Sequence, residues 1–178
     1  MNRVLPELVM GGILFIAFAT FFFWYWGSPN YTDVGYRPDQ PVQFSHKTHA
    51  GDLGMDCRYC HTNVEVAEHA NIPSTETCMN CHILPVGDSE KNEPLVQPVR
   101  DSWGSGVPIN WVRVHMLPDF VYFNHSSHVR VGVGCVECHG NVRQMEVVQQ
   151  MEPLSMAWCL DCHRDPDSRL RPIDEITN

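Results

Sequence analysis

Apolar residues crowd one end of this chain and thin out along the rest. From Leu8 to Trp26 nineteen residues follow one another with Thr20 the only clearly polar side chain. At about 1.5 Å per residue such a run makes a helix of roughly 28 Å, close to one hydrocarbon core. Trp24, Tyr25 and Trp26 form an aromatic belt at its far end, and Gly27-Ser28-Pro29 stops it. A cleaved leader is the rival reading, because Ala17-Phe18-Ala19 fits a small-residue cleavage pattern. That cut would fall inside the apolar run and leave Phe21 to Trp26 exposed. A single-pass anchor over residues 8–26 is therefore expected, after a short cytoplasmic N-terminus over residues 1–7. Arg3 is the only basic residue ahead of the span, so the positive-inside rule gives the orientation little support.

Beyond the span the pattern changes. The remaining stretch of about 150 residues is rich in Pro, Gly, Asn and Asp and has few long periodic apolar runs. A conventional core would be thin, so something besides side-chain burial must supply compactness. The formal charge of −9 argues against nucleic acid as a partner. It fits a solvated acidic face or one that attracts basic proteins.

The cysteines say what that something is. All eight fall into one pattern: Cys57-Arg-Tyr-Cys60-His61, Cys78-Met-Asn-Cys81-His82, Cys135-Val-Glu-Cys138-His139 and Cys159-Leu-Asp-Cys162-His163. This is the attachment sequence of c-type haem. Two cysteines about one helical turn apart form thioethers to the two haem vinyl groups, and the following histidine reaches the iron as proximal ligand. Disulfides or redox dithiols leave the four histidines unexplained. Paired zinc knuckles fit the seventeen residues between Cys60 and Cys78 and the twenty between Cys138 and Cys159, but a four-cysteine zinc site needs no histidine. The expected cofactor is haem c, four in this chain, with a fifth only if the chain continues beyond Asn178. Thioether attachment takes place outside the cytoplasm, which puts residues from about Ser28 onward on the extracytoplasmic side.

An internal repeat accounts for the other axial ligands. Phe44-Ser-His46-Lys-Thr-His49 precedes Cys57, and Phe123-Asn-His125-Ser-Ser-His128 precedes Cys135. Each first motif is followed by a second one, with Pro73 or Pro153 shortly before it. The unit F-x-H-x-x-H, C-x-x-C-H, C-x-x-C-H thus occurs twice, offset by about eighty residues, as a duplicated two-haem module. Ten histidines less four proximal ones leave six, and four low-spin irons need four of them. The paired histidines His46, His49, His125 and His128 supply that number, with i, i+3 spacing that turns two imidazoles from one helical turn outward. His115, in an apolar stretch before the second module, is a rival distal ligand. His69 reads as a surface histidine with a smaller claim. Met145, Met151 and Met156 lie near the fourth motif, and a thioether such as that of Met156 would raise that haem's potential, although methionine beside haem more often packs.

The expected fold is mostly irregular and small all-α, organised around haem, with helical turns at the attachment motifs, little sheet and one N-terminal transmembrane helix. The expected boundaries are a linker over residues 27–39, a first two-haem module over 40–82, a connecting loop over 83–110 and a second module over 111–178. Trp103 and Trp111 in or beside that loop contact a partner or simply pack.

The arrangement resembles the small multihaem cytochromes of the c3 and c7 type. That likeness implies that the first histidine of each pair serves the nearest haem: His46 that of Cys57 and Cys60, His125 that of Cys135 and Cys138. Segments 44–61, 72–82, 110–139 (Trp-Val-Arg-Val-His-Met-Leu-Pro-Asp-Phe-Val-Tyr-Phe-Asn-His) and 152–172 resemble the multihaem cytochrome c subunit of bacterial alternative complex III, a membrane quinol oxidoreductase. A fifth haem motif usual in that family is missing before Asn178, and quinone reductases of sulfate reducers have a similar subunit, so the direction of electron flow stays open. The resemblance implies a non-catalytic electron-transfer subunit on the periplasmic side of the bacterial inner membrane. Its partners would be the other subunits of a quinol-oxidising complex and a periplasmic or oxidase-associated acceptor. A stand-alone quinol dehydrogenase and a tethered electron shuttle are the competing functions.

Overall fold

The structure is a computed structural model, and it describes residues 4–87 and 89–177. Arg3, on which the charge-based orientation rests, lies outside the described residues, as do Met1, Asn2 and Asn178. Helix α1 (Val4–Trp26) begins four residues earlier than the apolar run, because Pro6 is tolerated in a first turn where its missing N–H has no partner to lose. It is long and apolar enough to cross a membrane, and none of its residues is buried. The short α2 (Pro29–Thr32) folds back on its end, where Tyr31 meets Trp26 at a ring-centroid distance of 4.4 Å.

The rest of the molecule is short helices joined by irregular chain. No strand occurs among the described residues; backbone pairing between Val133 and Leu170 is an isolated bridge. The attachment motifs fall on helical turns: α3 (Cys57–Cys60), α4 (Thr75–His82), α7 (Val136–His139) and α8 (Met156–Arg164). Asp56 caps α3 by accepting from the Arg58 amide, and Ser155 caps α8 by accepting from that of Trp158. The first histidine pair stands at the start of a π-helical turn (Lys47–Asp52), the second on α6 (His125–Arg130).

The expected loop over 83–110 is corrected at its centre, where α5 (Ser89–Ser105) forms despite Pro94 and Pro98. Proline reads as a breaker because it removes an amide donor and crowds the preceding turn. Here packing overrides it. Val99 and Ser102 are buried, α5 lies against α4, and Arg100 donates to the carbonyls of His82 and Leu84 while pairing with Glu93. Arg100 thereby satisfies carbonyls that the end of α4 leaves open. Val42, Met79 and Val99 form a small apolar core with Trp111 packed against it, whereas Trp103 is exposed.

Segment 27–39 is also held rather than free. Gly35 donates to the Gln150 carbonyl at 2.7 Å, and the Gln150 amide returns a bond to Tyr36 at 3.0 Å. Such a thin apolar core agrees with the composition, and these long-range polar stitches do part of the work.

Candidate haem-binding site

Each histidine pair has the same local construction. Phe44 stands edge-on to His46 at 4.8 Å and stacks on His49 at 4.3 Å; Phe123 does the same to His125 at 4.8 Å and His128 at 4.5 Å. The second imidazole of each pair is then fixed from behind. His49 Nδ1 donates to the Ser45 carbonyl at 2.8 Å, and His128 Nδ1 to that of Asn124 at 2.9 Å. A proton committed to Nδ1 leaves Nε2 with a free lone pair, the form of imidazole that binds a metal.

Metal–nitrogen bonds of about 2 Å, plus about 1 Å from each nitrogen to its ring centre, put two imidazoles opposed across one iron about 6 Å apart. Three histidine couples meet that figure. His49 and His82 stand 6.0 Å apart, His128 and His163 also 6.0 Å, and His125 and His139 6.4 Å with their planes 9° from parallel. His46 has His61 and His49 as close electrostatic neighbours; burial first, then these rings, hold its pKa down at about 4. Burial, followed by His115 and His125, holds His139 at about 3, so both rings are neutral near pH 7.

The remaining polar contacts are ones that sequence reading missed. His61 Nδ1 donates to the carbonyl of Asn71 at 2.6 Å, and Asn71 presents it from a left-handed backbone, φ 71°. Asparagine tolerates that conformation better than most residues, which is the one signal available in advance. His125 Nδ1 donates to the Glu68 carbonyl at 2.7 Å, a contact between the two repeats that no local pattern announces. The Nδ1 atoms of His46 and His82 are buried without a partner.

The other candidates separate clearly. His115 is 4.4 Å from His139 between ring centroids, too close for an iron between them. His69 is exposed and pairs with Glu68. Met156 is exposed at the first position of α8.

None of the eight cysteines is in a disulfide. The Cys57 and Cys135 side chains lie beside each other. Cys78 neighbours Cys60, and Cys159 and Cys162 neighbour Cys138. Among the described residues no group of three or more His, Cys, Asp or Glu side chains converges as a bare metal-ion site. Paired cysteines one turn apart, with opposed imidazoles beside them, fit covalent haem. The cysteines would hold the vinyl edges and the histidines the iron, and the group would supply reversible one-electron chemistry.

The short helices and their attachment motifs are c3/c7-like, and two stretches of the chain are similar to known families of small multihaem cytochromes. Residues 29–99 match the class III cytochrome C family, and residues 121–173 match cytochrome c7 and related cytochrome c. The chain is also 36% identical over 104 residues to the multiheme cytochrome c subunit of menaquinone reductase from Nitratidesulfovibrio vulgaris. That alignment covers 58% of this chain and spans about half of the relative, 47% of its length.

Proposed function

We propose that this chain is the electron-transfer subunit of a membrane quinone/quinol oxidoreductase, carrying four covalently bound haems. The observation that supports it best is the set of three imidazole couples at about 6 Å, each including the histidine of an attachment motif. In this reading the axial couples are His46 with His61, His49 with His82, His125 with His139 and His128 with His163. Thiol neighbours order the attachment sites in space as second, first, third and fourth along the chain, with the Cys57–Cys135 contact at the centre. Such a row gives a continuous path through the molecule with the second and fourth sites at its ends.

Helix α1 serves as the membrane anchor and puts the haem-binding part on the periplasmic side. The relative named as a menaquinone reductase subunit supports a quinone-linked complex. The likeness of the 110–139 segment to the alternative complex III subunit supports the same class with electrons leaving quinol for a periplasmic or oxidase-associated acceptor.

A pyridine haemochrome assay on the detergent-purified chain should give four haems c per polypeptide, all low-spin and six-coordinate. Fewer than four, or a high-spin spectrum that binds CO readily, overturns the haem assignment. Copurification with other membrane subunits in mild detergent is expected; a chain that always runs alone is a tethered shuttle instead.

A further inference from the structure

His115 is placed too near His139 to share an iron with it, yet the placement is well built. Their rings meet at 80°, and His139 Nδ1 lies 3.3 Å from His115 Nε2. His125 stands 6.4 Å from the same ring, nearly parallel to it. The two neighbours of His139 therefore do different things: one opposes it at a ligand's distance, the other engages the nitrogen that iron does not use. His115 is also delivered by anchored chain. Three residues before it, Val112 exchanges two hydrogen bonds with the Gln40 side chain, at 2.8 and 2.9 Å, and Trp111 packs on the small apolar core.

We propose that His115 is a positioning residue for His139: its Nε2 accepts the Nδ1–H of the third motif's histidine, fixing that ring's tautomer and orientation toward iron. The inference rests on the haem assignment proposed above. His61 meets the same need with the Asn71 carbonyl, so the first and third sites differ in what accepts this proton. An acceptor on Nδ1–H makes the ligating nitrogen more basic and favours ferric iron. Removing it raises the potential of that one haem.

The test uses the full chain in detergent, with H115Q keeping an acceptor and H115F and H115L removing it at different bulk. Electron paramagnetic resonance counts low-spin haems, and a potentiometric titration follows the four midpoints. The expected result is four low-spin haems in all three variants. One midpoint moves upward in H115F and H115L and returns most of the way in H115Q. A high-spin or missing haem in H115L, as expected of H125L, makes His115 an axial ligand and overturns the proposal. Unmoved midpoints with four haems overturn it too and leave the cytochrome reading standing. Fewer than four haems in the unmodified chain overturn that reading and the His115 assignment together.

Discussion

Phe44-Ser-His46-Lys-Thr-His49 enters a π-helical turn, whereas Phe123-Asn-His125-Ser-Ser-His128 enters an α-helix, and the two still set their rings almost identically. The edge-on contacts are at 87° and 86°, the stacked ones at 23° and 28°. The difference in backbone sits after the first histidine and the agreement sits before it, where one phenylalanine braces both imidazoles. Side-chain bracing, rather than helix type, is what the repeat preserves. The turns also dock crosswise. Lys47 donates to the Met145 carbonyl and Ser45 to the Glu146 carboxylate, just beyond the third motif. His125, Ser126 and Arg130 donate to carbonyls of residues 65–68, just beyond the first motif. Each repeat thus buttresses the other's first attachment site.

The largest effect should come from breaking the two turns at equivalent points. His49→Ala and His128→Ala each remove one distal imidazole from a 6.0 Å couple. Each variant should convert a single haem to a high-spin, CO-binding form and leave the others low-spin, read by absorption and paramagnetic resonance. Two high-spin haems from one substitution would show that the couples are wrongly drawn.

A smaller effect separates the crosswise docking from the C-terminal tail. A Cβ on Gly51 would run into the Arg143 carbonyl, and one on Gly132 into the Arg171 carbonyl, but only Gly132 also has a positive φ, 96°. Gly51→Ala pays for a collision alone, Gly132→Ala for a collision and left-handed strain of about 1–3 kcal/mol. Gly132→Ala should therefore lower the denaturant midpoint more than Gly51→Ala. The reverse order would mean that crosswise docking outweighs the tail, which reaches Cys135 through the Ile176 carbonyl and Glu137 through Arg169 and Arg171.

These contacts mark where sequence reading stops. The small all-α fold with little sheet was legible because four attachment motifs and few periodic apolar runs leave little else to build with. The i, i+3 histidines stood out on paper as candidate ligands because a low-spin c-type haem would need a second imidazole per iron. Helix α5 was hidden, since Pro94 and Pro98 speak locally for a loop and only packing on α4 speaks against it. The acceptors at Glu68 and Asn71 were hidden for a related reason: a backbone carbonyl carries no residue signature. Crosswise docking depends on pairs 57 to 101 positions apart, and spacing within each repeat says nothing about them.

The smallest predicted effect concerns the charges beside the two central motifs. Asp56 accepts from the Arg58 amide and guanidinium and from Thr177 Oγ1 at 3.2 Å, whereas the third motif is tied through Glu137 to Arg171 at 2.8 Å. The Arg58 hydrogen bonds hold the Asp56 carboxyl at about 2, against 3.8 for an ordinary aspartate. A lowered carboxyl pKa means that the unfolded chain binds more protons between those values. Stability from Asp56 is therefore full above about pH 4 and is lost as pH falls toward 2. The group is well solvated, so screening keeps the contribution below about 1 kcal/mol. Asp56→Asn should lower the denaturant midpoint slightly at pH 7 and converge with the unmodified chain near pH 2. An Asp56→Asn deficit that persists undiminished at pH 2 would show that the Arg58 hydrogen bonds to Asp56 do not carry the effect.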